Sequence, residues 1–196
     1  MNVRQVYKLP DWGKTDARVL DAAERLLITR GLEGLTITSI AKEADVSRPT
    51  VYRRWPSIDE IMRATLLRAT LKLLKQVGSL PHTRTDLAIA LVELARVLRG
   101  NHVFRSLIDR HPDFFIHGNM PRLGASQLAV ISWLADSIEY GQGNGTVRQG
   151  PPSDMGTMLL LIVQSAILSH TTVTAMIGSK EFETELCHAI EGYLHP

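Results

Sequence analysis

"VSRPTVYRRW", residues Val46 to Trp55, packs three arginines, a proline, a threonine and a tyrosine into ten positions whose apolar residues carry helical spacing. With Ser47 as N-cap, Pro49 falls in the first turn, where the amide it lacks would have no intrahelical partner. Val46 then sits at N′ and Val51 at N4, the pair that forms a hydrophobic staple. At about 100° per residue, Val51 and Trp55 point one way and Pro49, Thr50, Arg53 and Arg54 the other, with Arg48 and Tyr52 on the flanks. The segment predicts a short helix, apolar inside and basic with hydroxyls outside.

Its neighbours in sequence are helical as well. Upstream, Thr36 is an N-cap for a short helix carrying Ile37, Ile40, Ala41 and Ala44, and Asp45 tolerates the left-handed conformation that a tight turn requires. Before that, Val19, Ala22, Ala23, Leu26 and Leu27 give a helix over 15–30 one apolar face, and Gly31 supplies a left-handed stop. Downstream, Ser57 and Glu60 have capping-box spacing and open a helix that runs to Gly78, about 30 Å long at 1.5 Å per residue. Further helices are predicted at 84–99, 103–110, 122–140, 153–177 and 180–194, and no stretch alternates strictly enough to predict a strand. The fold class is all-α. Three short N-terminal helices form a head, and a long fourth helix joins it to a helical body, with domains expected at 1–57 and 58–196.

Composition fits this division. The 196 residues suffice for a core of ordinary size, and 44% hydrophobic with 21% charged residues is a soluble globular balance. Residues 1–57 hold ten Lys and Arg against seven Asp and Glu, a net +3, whereas residues 58–196 hold twelve against thirteen, a net −1. The N-terminus lacks signal-peptide order, which places the chain in the cytoplasm. The single cysteine, Cys187, leaves no intrachain disulfide and too few thiolates for a cysteine zinc site. Met155 to Ser179 carries no formal charge, but Gln164, His170 and a series of serines and threonines argue for a helix buried in the body and against a second subunit rather than a membrane span.

Three short helices, the second and third separated by a tight turn and the third basic on its outer face, describe a helix-turn-helix. There the third helix enters the major groove of double-stranded DNA. An arginine fork can donate two bonds to guanine O6 and N7, so Arg53, central on the outer face, is the first candidate for base contact. Tyr52 and the groups near Thr36, Thr38 and Ser47 suit phosphate oxygens, which set position and register. Arg54 suits either task.

Residues from about Arg18 to Ile61, with "LTITSIAKEADVSRPTVYRRWPSIDEI" as their core, resemble the DNA-binding head of the TetR family of transcriptional regulators. The resemblance rests on "IA", "VS" and "TVYRRWPS" at the family's spacing. Beyond the head it extends only to length, helicity and "GTVR" after a long helix. It implies a homodimer on a two-fold symmetric operator, usually a repressor, with a C-terminal body that dimerises through its last helices and holds a small-molecule effector. It also implies DNA contacts from the positions of Arg48, Pro49, Thr50, Tyr52, Arg53 and Arg54. Two positions depart from the family: Asp45 stands where glycine is common, and Ile58 where a phosphate-binding lysine is common. Arg54, or an arm with Arg4, Lys8 and Lys14, is a substitute for that lysine, although residues 1–13 read first as a disordered tail.

Effector-pocket candidates in the body are Phe104, Phe114, Phe115, His117, Trp133, Gln164 and His170, since pockets are mostly apolar with a few polar anchors. Phe182, Leu186 and Ile190, with Cys187 beside them, are expected at a four-helix dimer interface. No enzyme, cofactor or metal is expected. No histidine pair has i, i+4 metal spacing, Cys187 and His188 are adjacent rather than facing, and neither G-x-S-x-G nor a Gly-rich phosphate loop occurs. The alternative is a helical small-molecule or protein-binding module whose head no longer reads DNA.

Overall fold

The computed structural model describes residues 10–110 and 124–196, which form nine α-helices and no strand. They are α1 (Lys14–Arg30), α2 (Ile37–Glu43), α3 (Arg48–Arg54), α4 (Ile58–Val77), α5 (Arg84–Gly100), α6 (His102–Arg110), α7 (Ala125–Gly143), α8 (Pro152–Ile177) and α9 (Ser179–Leu194), with one 3₁₀ turn at Leu32–Gly34. Apolar periodicity placed these helices to within a few residues. The first positions of the helix expected at 122–140 lie outside the described residues.

The chain packs as two compact units. A head unit holds α1 to α3, α4 through Leu71, and α6; a body unit holds α4 from Lys72, α5, α7 from Gln127, α8 and α9. Packing therefore divides the chain elsewhere than at 57/58. The first part of α4 buries Ile61, Met62, Leu66 and Leu67, and α6 lies against α1, where the Ser106 hydroxyl donates to the Leu27 carbonyl at 3.1 Å. Charge counts along the chain carry no trace of such a return.

In the head, Val19, Leu20, Ala22, Ala23, Leu26 and Leu27 of α1 are buried, joined by Ile40, Val51 and Trp55. Gly31, at φ 72, ends α1 by donating its amide to the Leu27 carbonyl at 3.0 Å, a left-handed stop that a side chain would strain. Arg68 of α4 crosses to α1, where its Nη2 lies 2.8 Å from Asp21 Oδ1 and 3.0 Å from Glu24 Oε2. Its Nη1 donates to the Ala17 carbonyl at 3.3 Å.

In the body, α5, α8 and α9 pack on one another. Gly156 lets α8 approach α7 closely: a Cβ there would stand 3.2 Å from Leu134 Cβ and 3.3 Å from the Ile131 carbonyl oxygen. By length and composition α8 is apolar enough to cross a membrane, yet its Met155, Gly156, Leu159, Val163 and Ile167 are buried in this packing. One edge of α8 is thus buried in the body, while its Met158, Leu161, Met176 and Ile177 are exposed.

The "GTVR" segment closes the body. Val147 is buried, and the Thr146 hydroxyl accepts from the Arg84 amide at 3.3 Å. Arg148 Nε donates to the Tyr193 carbonyl at 2.9 Å while its guanidinium lies 4.7 Å from the Tyr193 ring centroid. A cation at the C-terminal carbonyls of α9 also complements the helix dipole. Arg148→Ala is expected to cost about 1.5–3 kcal/mol, since a charge-assisted hydrogen bond and a cation–π contact are lost together. Urea unfolding checks this through a lower midpoint at unchanged slope.

Candidate DNA-binding face

The head builds its outer face from two capped helices and one strained turn. Thr36 and Ser39 cap α2 reciprocally, each side-chain oxygen accepting the other's backbone amide at 2.9 Å. After α2, the Asp45 amide donates to the Lys42 carbonyl at 3.2 Å and the Val46 amide to the Ala41 carbonyl at 3.0 Å. Asp45 itself has φ 51, the only positive φ outside glycine among the described residues. Arg18 Nη2 braces it, donating to its carbonyl at 2.8 Å and to Oδ2 at 3.1 Å. The positive φ is one that aspartate adopts more readily than most non-glycine residues.

Ser47 opens α3 as its N-cap, accepting from the Thr50 amide at 3.3 Å, and Pro49 occupies the first turn. Val51 is 0% and Trp55 7% exposed, so this short helix is fixed by one apolar edge. On the outer side Arg48, Pro49, Tyr52, Arg53 and Arg54 are exposed and Thr50 is half-buried. Arg48 and Arg53 have no ion-pair partner among the described residues. Arg54 differs, its Nε lying 3.0 Å from Asp16 Oδ2 of α1.

The hydroxyls divide by prior engagement. Thr38 is exposed and uncommitted among the described residues, whereas the Thr36 hydroxyl donates to Ser39 Oγ at 3.1 Å and Ser47 Oγ sits 2.8 Å from Thr50 Oγ1. A phosphate at Thr36 or Ser47 would meet a group already used in capping. Ile58 is half-buried at the start of α4, and Arg4 and Lys8 lie outside the described residues.

In the body, the pocket candidates are scattered. Phe104 is buried in α6 of the head unit, and Phe114, Phe115 and His117 lie outside the described residues. Trp133 and Gln164 are half-buried, with Gln164 Oε1 accepting from Gln127 Nε2 at 3.3 Å. His170 meets Phe182 edge-on, ring centroids 5.2 Å apart. Burial, then the nearby Arg99 charge, lower its imidazole pKa from the ordinary histidine value, with Glu183 opposing them. Two open hollows of about 410 and 920 Å³ flank the stacked His82 and Tyr140 rings, and neither is lined by Trp133, Gln164 or His170.

The interface expected at Phe182, Leu186 and Ile190 needs correction. These residues are 7%, 7% and 0% exposed within the single chain, because this stripe of α9 covers the chain's own α5 and α8; little of them is left for a partner. Cys187 is half-buried, and burial, with Glu191 nearby, pushes its thiol up. Exposed apolar area lies instead on α8, at Met158, Leu161, Met176 and Ile177.

Sequence reading missed Asp16, Ser39, Arg68 and Arg148. Ser39 had a local signal in its i+3 spacing from Thr36 and Arg148 in the "GTVR" segment, but the contacts of Asp16, Arg68 and Arg148 are with residues distant in sequence.

The pattern of bacterial regulatory proteins of the tetR family matches residues 19–65, the span of the helix-turn-helix. An uncharacterized HTH-type transcriptional regulator of Mycobacterium tuberculosis is 37% identical over 184 residues, covering 94% of this chain and 96% of the relative. Among solved structures, the transcriptional repressor QsdR of R. erythropolis, from the TetR family, superposes with a TM-score of 0.67 at 19% identity, over 92% of this chain and 95% of QsdR. RolR in complex with resorcinol gives 0.64 at 18% identity over 92% and 87%. A regulator from Saccharomonospora viridis in complex with choline gives 0.60 at 22% over 92% and 97%. The structural likenesses show the fold, and the mycobacterial relative, matched nearly end to end, shows the family: this chain belongs to the TetR family of DNA-binding transcriptional regulators.

Proposed function

We propose that this regulator is a repressor that binds a two-fold symmetric operator as a homodimer and leaves it when a small molecule binds the body. The observation that carries the reading is the outer face of α3, where Arg48 and Arg53 stand exposed, without an ion-pair partner among the described residues, over the buried Val51 and Trp55. Arg53 reads a base edge; Arg48, Pro49, Thr50, Tyr52, Thr38, and the cap residues Thr36 and Ser47 set register along the backbone, while Arg54 at the end of the face is paired with Asp16. In terms of roles rather than packing, residues 1–57 recognise DNA, and residues 58–196 hold the effector and the partner subunit. A protein with this target works in the cytoplasm.

The dimer reading is supported by α8, whose exposed positions Met158, Leu161, Ser165, Ser169, Thr172 and Met176 form one stripe at helical spacing. Effector release is supported by analogy with neighbours of the same fold that hold resorcinol and choline. Trp133, Gln164 and His170, all in the body unit, are the contacts proposed for this chain's effector.

Selection of binding sites from a random duplex pool at near-physiological salt tests the reading. A two-fold motif with half-sites about one helical turn apart is expected. Weak, salt-sensitive binding without an enriched motif would overturn it. On the selected duplex, Tyr52→Phe should weaken all sequences about equally, by roughly three- to tenfold, as loss of one phosphate hydrogen bond requires. Competition binding across single-base variants of the site reads this as a uniform shift.

A further inference from the structure

The three arginines of α3 are not equivalent. Arg54 Nε is 3.0 Å from Asp16 Oδ2, whereas Arg48 and Arg53 have no ion-pair partner among the described residues. Within the pair the carboxylate is the fixed member. Asp16 is 16% exposed and lies in the first turn of α1, where the helix dipole favours a negative charge, while Arg54 is 55% exposed. A paired guanidinium presents a phosphate with a dipole instead of a net charge.

We propose that Asp16 is a positioning residue that holds Arg54 back from the DNA backbone and thereby suppresses non-specific binding. Phosphate attraction is independent of sequence, whereas base-edge contacts carry the discrimination. A cation silenced at the end of α3 therefore lowers affinity for all DNA while Arg48 and Arg53 keep their access to the groove. The ratio of specific to non-specific binding rises as a result. This inference rests on α3 being the DNA-reading helix.

The test is a double-variant cycle on the full chain, with Asp16→Asn, Arg54→Gln and both together, titrated against a random-sequence duplex and the selected duplex over a range of salt. Asp16→Asn is expected to raise random-duplex affinity by roughly three- to tenfold at low salt. It should also steepen the log–log salt slope by up to about 0.9 per head, the value for one added phosphate contact. In the Arg54→Gln background the same substitution should change random-duplex affinity less than about twofold. An equal gain in both backgrounds would show a plain net-charge effect and overturn the proposal; so would a loss on Asp16→Asn, which would mean that Asp16 orients Arg54 toward DNA. Should Asp16→Asn fail to fold, Asp16→Ser, whose side chain suits a helix start, takes its place in the cycle. Failure of the unsubstituted chain to bind any duplex would remove the α3 reading itself, a result distinct from either cycle outcome.

Discussion

Arg53→Ala should relax sequence preference at one base pair in each half-site while leaving the other positions of the operator as selective as before. A bidentate arginine–guanine contact contributes about 1–3 kcal/mol of discrimination. Two heads on a symmetric site then forfeit about 2–6 kcal/mol, which is roughly 30-fold or more in affinity for the best sequence. The geometry supports so large an effect at this residue in particular. Arg53 is exposed, has no ion-pair partner among the described residues, and stands on a helix whose opposite edge is locked by Val51 and Trp55. Its guanidinium is therefore free to contact a base, on a rigid mount. Repeating the site selection with the variant measures the effect position by position. An unchanged motif would move base readout from Arg53 to another residue of the face, with Arg48 next in order.

Arg68→Ala is expected to be the most destabilising single change in the head, by about 2–4 kcal/mol. The Arg68 side chain is only 9% exposed and holds Asp21, Glu24 and the Ala17 carbonyl together from α4. Removal leaves a cavity and two carboxylates without their cation. Asp21 is 51% and Glu24 28% exposed, so water recovers part of the loss, which keeps the figure below the upper limit for a fully buried pair. The arrangement carries a cost of its own, because Arg68 Nε is buried without a hydrogen-bond partner among the described residues. Replacing all three charged groups together, by Arg68→Met with Asp21→Asn and Glu24→Gln, should therefore restore most of the stability that Arg68→Ala loses. Urea denaturation of the two variants distinguishes these cases. A shift below about 0.5 kcal/mol for Arg68→Ala would show that the cluster does not hold α4 to α1.

Much of the head was legible along the chain because its determinants are local. Thr36 and Ser47 cap helices through amides three residues ahead, Gly31 and Asp45 take positive φ where a turn demands it, and the inward and outward faces of α3 follow from 100° steps. The body was legible as helices but not as surfaces. Phe182, Leu186 and Ile190 form the apolar stripe that periodicity finds, yet periodicity cannot say whether such a stripe meets a partner or the chain's own α5 and α8. Helix α6 was assigned to the body by its place in sequence and packs in the head, where Ser106 bonds the Leu27 carbonyl.

By itself, then, the sequence determined the all-α class, the helices to within a few residues and the helix-turn-helix motif, all set by interactions within a few residues. Tertiary structure alone decided that Asp16 holds Arg54, that Arg68 binds α4 to α1, that Arg148 closes α9, and that the aromatic and aliphatic stripe of α9 is interior. Each of these depends on side chains that are dozens of positions apart, and only the packing of the helices brings them within the few ångströms over which hydrogen bonds and ion pairs act.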